Sequence, residues 1–432
     1  MPLPPPNRIE SDKYLPSEVD VAIIGGGIAG ISVALELSER GLRVAVFEKG
    51  MIAGEQSGRN WGWCRQMGRD PREVPLSKIS LGLWRKMDRR INAPTGFHES
   101  GIAYLCQNER ELANRQTWHD EQATPNGLTT HMLSANEAKD VTPNSPVKWA
   151  GGMLTPDDGR AEPQLAVPAM ASAVQRKGGM VFENCAVRGL DQTAGKVSGV
   201  VTERCTVAAD AVLLAGGAWS RRFCHNIGVR LPQLPVINSV MRTMPFEGTI
   251  RHSVVGAKLA IRKRLDGGYT IADDTFNTAD IMPDSFRLLP DFLPTVLKNW
   301  GDYRLRISRR FLEEARLPRR WAMDEQSPFE QIRVLDPEPD PVAIRNAKET
   351  LERVHPEFVG VKMEQEWAGM IDVLPDIVPV IGPVDAKPGL FISTGYSGHG
   401  FGLGPGAGHL MAQLITGETP CVDPEPFSLN RF

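Results

Sequence analysis

Apolar positions recur along this chain in runs of two lengths, and the runs predict its elements. Near the start, Val19, Val21, Ala22, Ile23 and Ile24 make a short apolar run of buried-strand length. Gly25 and Gly27 then break the chain. From residue 29 to 40, Ile31, Ala34, Leu35 and Leu37 fall near one helical face, and Gly41 is placed to stop that helix. Residues 44–47 form a second strand-length run. Further on, "EPQLAVPAMASAVQRKGG" predicts a helix over 163–177, with Pro163 suited to the first turn and Pro168 expected to disturb the interior. Three strand-like runs follow in "MVFENCAV", "KVSGVVTERCTV" and "DAVLLAGGAWS". Asp266, Gly267 and Gly268 predict a hairpin turn. Near the C-terminus, "PGLFISTGYSGHGFGLGPGAGHLMAQLITG" predicts a strand ending at 391–393, a glycine-rich loop and a helix over 408–415.

Strand, tight turn, helix and strand are the opening of a dinucleotide-binding unit. Gly25, Gly27 and Gly30 stand in Gly-x-Gly-x-x-Gly spacing. The first allows the turn, the second lets backbone approach a pyrophosphate, and the third lets the helix pack on the strand. Ile28 and Ala29 sit at the helix N-terminus, whose free N–H groups and positive dipole end suit phosphate. Glu48 ends the second strand about 20 residues on, where a carboxylate suits the hydroxyls of an adenosine ribose.

This unit alone does not separate FAD from a nicotinamide cofactor. The downstream order does: no further βαβ units follow directly, and the nucleotide-binding pieces are widely separated. That suits FAD, which crosses a large domain. Gly216 and Gly217 offer a second close approach of backbone to ligand. The loop at 395–402, with Gly398, His399, Gly400 and Gly402, offers backbone donors to an electron-rich ring edge. The expected fold is mixed α/β (α+β). A Rossmann-like FAD-binding domain of the glutathione-reductase type (17–90, 151–235 and 366–421) is interleaved with a mixed-sheet substrate-binding domain (91–150 and 236–365). A flexible arm (1–16) and a tail (422–432) flank them.

Composition narrows the classes. Lys plus Arg number 49 against 52 Asp plus Glu, a formal net charge of −3, so nucleic acid is not an expected partner. No run of about 18 apolar residues predicts a membrane span. "SRRFLEEARLPRRW" is basic and partly amphipathic; a solvated face is the preferred reading, with peripheral membrane contact as the alternative. The 6 cysteines show no Cys-x-x-Cys spacing and the 8 histidines no metal-binding cluster. A cytoplasmic location and no metal are expected.

The segments "AIIGGGIAG", "EKGMIAGEQSGRN", "ADAVLLAGGAWS", "EWAGMIDVLPDIVPVIGP" and "GYSGHGFGLGPGAG" resemble the D-amino-acid oxidase-like (DAO) family of FAD-dependent amine and amino acid oxidoreductases. Within it the chain is similar to bacterial L-amino acid deaminases, through "KGMIAGEQSGR", "AVRGLDQTAGKVSGVVTE", "DEQSPFEQIR" and "DPEPFSLNRF". The resemblance implies noncovalent FAD held by Lys49, Gln56, Ser57, Gly58, Arg59, Asn60, Trp61, Gly62, Val187, Trp219 and Gly369, beside the glycines already named. It places the glycine-rich C-terminal segment and His399 by the flavin ring. Trp63, Arg65 and Trp367 become candidates for the substrate side. Where the deaminases carry a carboxylate-binding arginine, this chain has Asp273 and Asp274, so Asp274 is a candidate partner for a substrate ammonium.

The expected reaction is oxidation of a carbon–nitrogen bond in a small amine or amino acid, with hydride passing to flavin and O2 or a respiratory quinone as acceptor. The alternatives are an FAD-dependent monooxygenase and a flavin-holding subunit of a multi-chain amine or opine oxidase.

Overall fold

A computed structural model describes residues 5–298, 301 and 303–432. Its first sheet grows around β1 (Glu18–Ile24), whose last four residues are buried. β1 runs through Gly25–Gly27 into α1 (Ile28–Glu39) and returns as β2 (Val44–Phe47), parallel to β1. α2 (Val74–Ile91) packs on the helical layer. β3 (Thr206–Leu214) lies parallel on the other side of β1 and leads through a tight turn at Gly217–Trp219 into α3 (Ser220–Asn226). β4 (Met363–Val373) is a long strand of the second sheet that leads back to this one. β5 (Leu390–Thr394) adds to β3 in parallel and feeds α4 (Gly400–Thr416). The hairpin of Val187–Thr193 and Lys196–Thr202 hangs from β3, and Met180–Phe182 extends β2. This is a Rossmann-like sheet, parallel at its centre and buried on both faces.

The second sheet is mixed. It joins Leu234–Thr243, Ser253–Gly256, Leu259–Lys263 and Tyr269–Asp273 to Ile102–Cys106 and Gly151–Thr155. The expected turn at 266–268 does close a hairpin there. β4 pairs along Leu234–Thr243 over nearly its whole length. Two segments assigned from sequence to the FAD-binding pieces, Gly151–Thr155 and β4, therefore hydrogen-bond into the second sheet. Neither shows a clean apolar–polar alternation, Gly151–Thr155 being mostly buried and β4 opening on Glu364, Gln365 and Glu366, so period alone does not say which sheet receives it.

Two further expectations change. Pro168 lies inside an unbroken helix, Pro163–Arg176, whose apolar face is buried against α1. Tertiary burial outweighs the local cost of one missing N–H. The arm, described from residue 5, is docked: Asn7 N–H donates to Gln164 O (2.8 Å), Asp12 N–H donates to Val181 O (2.9 Å), and Pro6 is buried. Residues 1–4 of the arm lie outside the described residues.

The largest change is in α4. It begins at Gly400, not 408, so the predicted loop is mostly helix. A Cβ on Gly404 would lie 2.4 Å from Ile28 Cγ1, and one on Gly408 would lie 2.5 Å from Ser32 Cβ. On the α2 side, a Cβ on Gly406 would lie 2.8 Å from Leu76 O and 2.8 Å from Ser80 Cβ. Pro405 has no N–H to give. One position on, the Ser80 hydroxyl is inserted into the ladder: it donates to Gly402 O (2.6 Å) and accepts from Gly406 N–H (3.0 Å). Trp84 Nε1 also donates to Gly402 O (3.1 Å). The glycines bring three helices into backbone contact, and Ser80 satisfies the polar groups that the distortion frees.

Among the described residues no helix is long and apolar enough to cross a membrane. Nor does any group of three or more His, Cys, Asp or Glu side chains among them form a set able to hold a metal ion. All six cysteines are free thiols.

Candidate active site

The N-terminus of α1, the end of β2, the β3–α3 turn, β4 and the β5–α4 loop converge on one cavity with about 1190 Å³ of space between atoms. At one end Gly25, Gly27, Ile28 and Ala29 present backbone. Gly25 has φ +112°, and a Cβ there would lie 2.4 Å from Ala215 O, so only glycine makes this turn. A Cβ on Gly30 would lie 2.1 Å from Gly25 O, so the third glycine seats the helix on its own turn. Ser57 Oγ takes one helix N-terminal donor, Ile28 N–H, at 2.9 Å.

Glu48 faces the same end. Its oxygens accept Gly26 N–H and Gly50 N–H, both at 2.8 Å, and burial pushes its pKa up. Those two bonds aim the carboxylate while leaving lone pairs for a diol. Lys49 Nζ sits 2.6 Å from Glu55 and 4.6 Å from the Trp219 ring centroid; Trp219 Nε1 in turn donates to Glu55 (3.1 Å). This triangle closes the wall between β2 and the β3–α3 turn. Gln56, Asn60, Val187, Gly216 and Gly217 complete the middle of the lining. Gln56 Oε1 is buried with no hydrogen-bond partner, as expected of a group that waits for a ligand donor. A dinucleotide fits this set of donors, glycines and orphaned oxygen.

At the other end the cavity is bounded by Met370, Asp372, Ser393, Thr394, Tyr396, Gly398, Gly400 and Phe401. Apart from the two glycines, these residues carry no sequence-level signal of a role, although Asp372 stands in the "IDVLP" stretch that carries the family resemblance. Asp372 accepts Gly395 N–H (2.8 Å), Gln233 Nε2 (3.1 Å) and Thr394 Oγ1 (3.2 Å). Burial pushes its pKa up to about 6, against those hydrogen bonds. It clamps the β5–α4 loop, where Gly395, Ser397 and Gly398 all have positive φ.

Several predicted residues stand behind the wall instead. Arg59 is buried, donating to Gly54 O (3.2 Å) and Ala368 O (3.1 Å) and pairing with Asp336 (2.6 Å). Trp367 Nε1 donates to Arg59 O at 2.9 Å. A Cβ on Gly58 would lie 2.3 Å from Ala53 O, and one on Gly369 would lie 2.1 Å from Gln56 Oε1. Gly62 turns with φ +77°, and Gly402 supplies the carbonyl that Ser80 and Trp84 hold. Trp61 stacks edge-on against Trp63 (5.3 Å) and donates to Asn238 Oδ1 (3.0 Å).

The five candidates for catalysis also lie outside this lining. Trp63 packs in a small core with Met67, Tyr104 and Met153. Arg65 donates to Met67 O and lies 5.7 Å over the Tyr104 ring. Trp367 is tied to Arg59. Asp274 is exposed, just past the end of its strand, with its backbone N–H on Lys258 O (3.0 Å). His399 sits between two lining glycines but turns away, its Nδ1 3.1 Å from Glu73. Burial, aided by Arg69, pulls its pKa down to about 4, so it holds the loop as a neutral donor. Period-two and turn patterns do not report which way a loop side chain turns.

A Rossmann-like sheet whose Gly-x-Gly-x-x-Gly turn, strand-end carboxylate Glu48 and distant glycine loop share one cavity defines an FAD-dependent oxidoreductase. The DAO family model, described as FAD dependent oxidoreductase, matches residues 20–414. The chain belongs to that family. It superimposes with a TM-score of 0.95 on L-amino acid deaminase from Proteus myxofaciens, solved with anthranilate, at 33% identity over 99% of this chain and 96% of that one. Glycine oxidase of Pseudomonas putida is 24% identical over 417 residues, covering 94% of this chain and 97% of that protein. The 4-methylaminobutanoate oxidase (formaldehyde-forming) of Paenarthrobacter nicotinovorans is 24% identical over 425 residues; there this chain spans 97% of itself and 46% of the other protein. As a member of this family the chain holds FAD noncovalently.

Proposed function

We propose that this chain oxidises the C–N bond of a small amine or amino acid, giving an imine that water hydrolyses to a carbonyl product. The observation that carries this reading is the single cavity that joins the dinucleotide turn to the Asp372-clamped loop, on a fold that superimposes on an L-amino acid deaminase. When bound, FAD supplies two-electron acceptance from a carbon next to nitrogen. The chain's part is orientation and electrostatics. Gly398 and Gly400 bring backbone close to the far end of the cavity, where donors stabilise developing negative charge. Met370, Tyr396 and Phe401 exclude water, which favours a neutral amine over an ammonium. No side-chain base is required by this arrangement.

We divide the FAD-binding region as glutathione-reductase type and assign electron acceptance to O2 or a respiratory quinone. A reducing, cytoplasmic compartment suits six cysteines that form no disulfide. The test is product formation by the purified FAD-loaded chain on a panel of L- and D-amino acids, secondary amines and diamines. The expected result is a carbonyl product together with ammonia or an amine from at least one member. Turnover only with a second chain present would replace this reading with that of a flavin-holding subunit.

A further inference from the structure

Helix α3 has two working faces. Phe223 looks into the FAD cavity. On the opposite side Arg221, Arg222 and His225 line a second cavity, with Val229 and Leu231 beyond the helix and Met282 and Leu288 across from it. Its empty space is about 710 Å³, and its rim adds Arg230, Arg287 and Arg319.

The charges in this second cavity do not balance. Arg230 is matched by Asp291, at 2.5 Å. The other four lining guanidiniums face two lining carboxylates, Asp284 and Glu314. Asp284 alone is shared by Arg221, Arg287 (2.6 Å) and Arg319 (3.8 Å). Glu314 is shared by Arg222 (2.5 Å), Arg221 (3.8 Å) and, from outside the lining, Arg310 (3.8 Å). Arg221 Nε is buried and has no partner. Arg319 Nη2 lies nearer the His225 ring (3.4 Å) than its shared carboxylate, Asp284 (3.8 Å). The field has consequences for the groups inside it. Burial pulls Arg221 down to about 10, and His225 is held below its ordinary value by burial and by Arg319, Arg320, Arg287 and Arg221.

We infer that this cavity is a binding site for a phosphate group, separate from the FAD site. Several guanidiniums converge on one recess, and forked N–H donors match phosphate oxygens. The apolar floor of Val229, Leu231, Met282 and Leu288 suits a ligand with an apolar portion next to that group. The phosphate belongs either to a small soluble molecule or to a lipid headgroup, since Leu289, Leu293 and Leu297 are exposed close by in sequence.

The FAD-loaded chain is titrated calorimetrically with inorganic phosphate at constant ionic strength, and in parallel sedimented with phosphatidylglycerol or phosphatidylcholine vesicles. Arg287 and Arg319 are the more exposed members of the set, so Arg287→Ala and Arg319→Ala are expected to fold; their FAD content and melting are measured first. The expected result is saturable binding of phosphate, weakened about tenfold or more in each variant, the loss of one charge-assisted contact. Saturable binding of inorganic phosphate assigns a soluble ligand. Arginine-dependent sedimentation with phosphatidylglycerol alone assigns a headgroup. Absence of both, or binding that neither variant changes, overturns the site.

Discussion

Two glycine-rich stretches border the FAD cavity and use glycine for opposite purposes. At Gly25–Gly30 the missing side chains open a turn, so that backbone N–H groups face a ligand. At Gly404–Gly408 they close a gap: α4 lies so near α1 and α2 that a single methyl would strike Ile28, Ser32 or Leu76. The first stretch serves binding and the second serves packing. Only the short loop before α4, at Gly395–Gly398, resembles the first in its backbone, with positive φ at Gly395 and Gly398. Glycine content alone does not predict flexibility; what a Cβ would meet does.

The sharpest way to break this comparison is to fill the packing side. Gly408→Leu drives a branched side chain into Ser32 backbone. The FAD-free protein should lose about 3 kcal/mol or more in urea unfolding, the upper range for overpacking. Unchanged stability of the FAD-free chain would place α4 among the ligand-contact glycines instead.

The binding side should respond in affinity. Glu48→Ala removes a charge-assisted acceptor, of a kind that contributes about 1.5–3 kcal/mol. FAD retention on dilution should fall at least about tenfold. Retention equal to that of the parent would remove Glu48 from the ribose site.

Gly27→Ala is the milder counterpart. Its Cβ meets only the Ser57 side chain, at 3.0 Å from Oγ. Stability of the FAD-free chain should change by about 1 kcal/mol at most, the scale of an N-cap substitution. FAD affinity should still fall measurably by fluorescence titration. Equal losses in both would mean that the turn is structural.

Acid separates the loop's anchor from the rest. The pKa of His399 is lowered in the folded chain, so between about pH 6.5 and 4 the unfolded chain binds the extra proton. Stability therefore rises with pH through that window and is lost on acidification. His399→Asn, which keeps a donor for Glu73 and does not titrate, should flatten this slope in melting measured at steps across the window. A slope unchanged by the substitution would assign it to other groups, and Asp372 has the opposite sign: its raised pKa lets the folded chain hold the proton up to about pH 6.

The smallest effect is expected from Asp274→Asn. This exposed residue lies outside the cavity lining, so stability should stay within about 0.5 kcal/mol. Preference between charged and neutral amines should be unchanged in steady-state kinetics. A selective loss for the charged amine would bring Asp274 into the substrate site and favour a polyamine.

The dinucleotide end of the molecule was legible because its signals are local: strand, turn, helix, strand and Glu48 lie within 31 consecutive residues of one another in the chain, Glu18 to Glu48. The far end was not. Asp372 earns its place through Gly395, Thr394 and Gln233, all distant or unremarkable in sequence. Sequence makes Trp63 and Trp367 candidates for the substrate side; in the structure Trp63 packs with Met67, Tyr104 and Met153, and Trp367 bonds to Arg59 O, neither contact being readable from local pattern. The start of α4 was hidden for an energetic reason. Each interior glycine costs a helix about 1 kcal/mol and proline about 3, so local preference opposes it. Contacts with Ile28, Ser32, Leu76 and Ser80 outweigh that preference.

The central claim is that the cavity between these two glycine-rich stretches takes electrons directly from an amine or amino acid. Anaerobic stopped-flow mixing of the FAD-loaded chain with the best panel substrate, and separately with NADH and NADPH, tests it most directly. The predicted result is rapid loss of oxidised-flavin absorbance with the amine or amino acid and none with either nicotinamide. Reduction by NADH or NADPH alone would contradict the account and make the protein a monooxygenase.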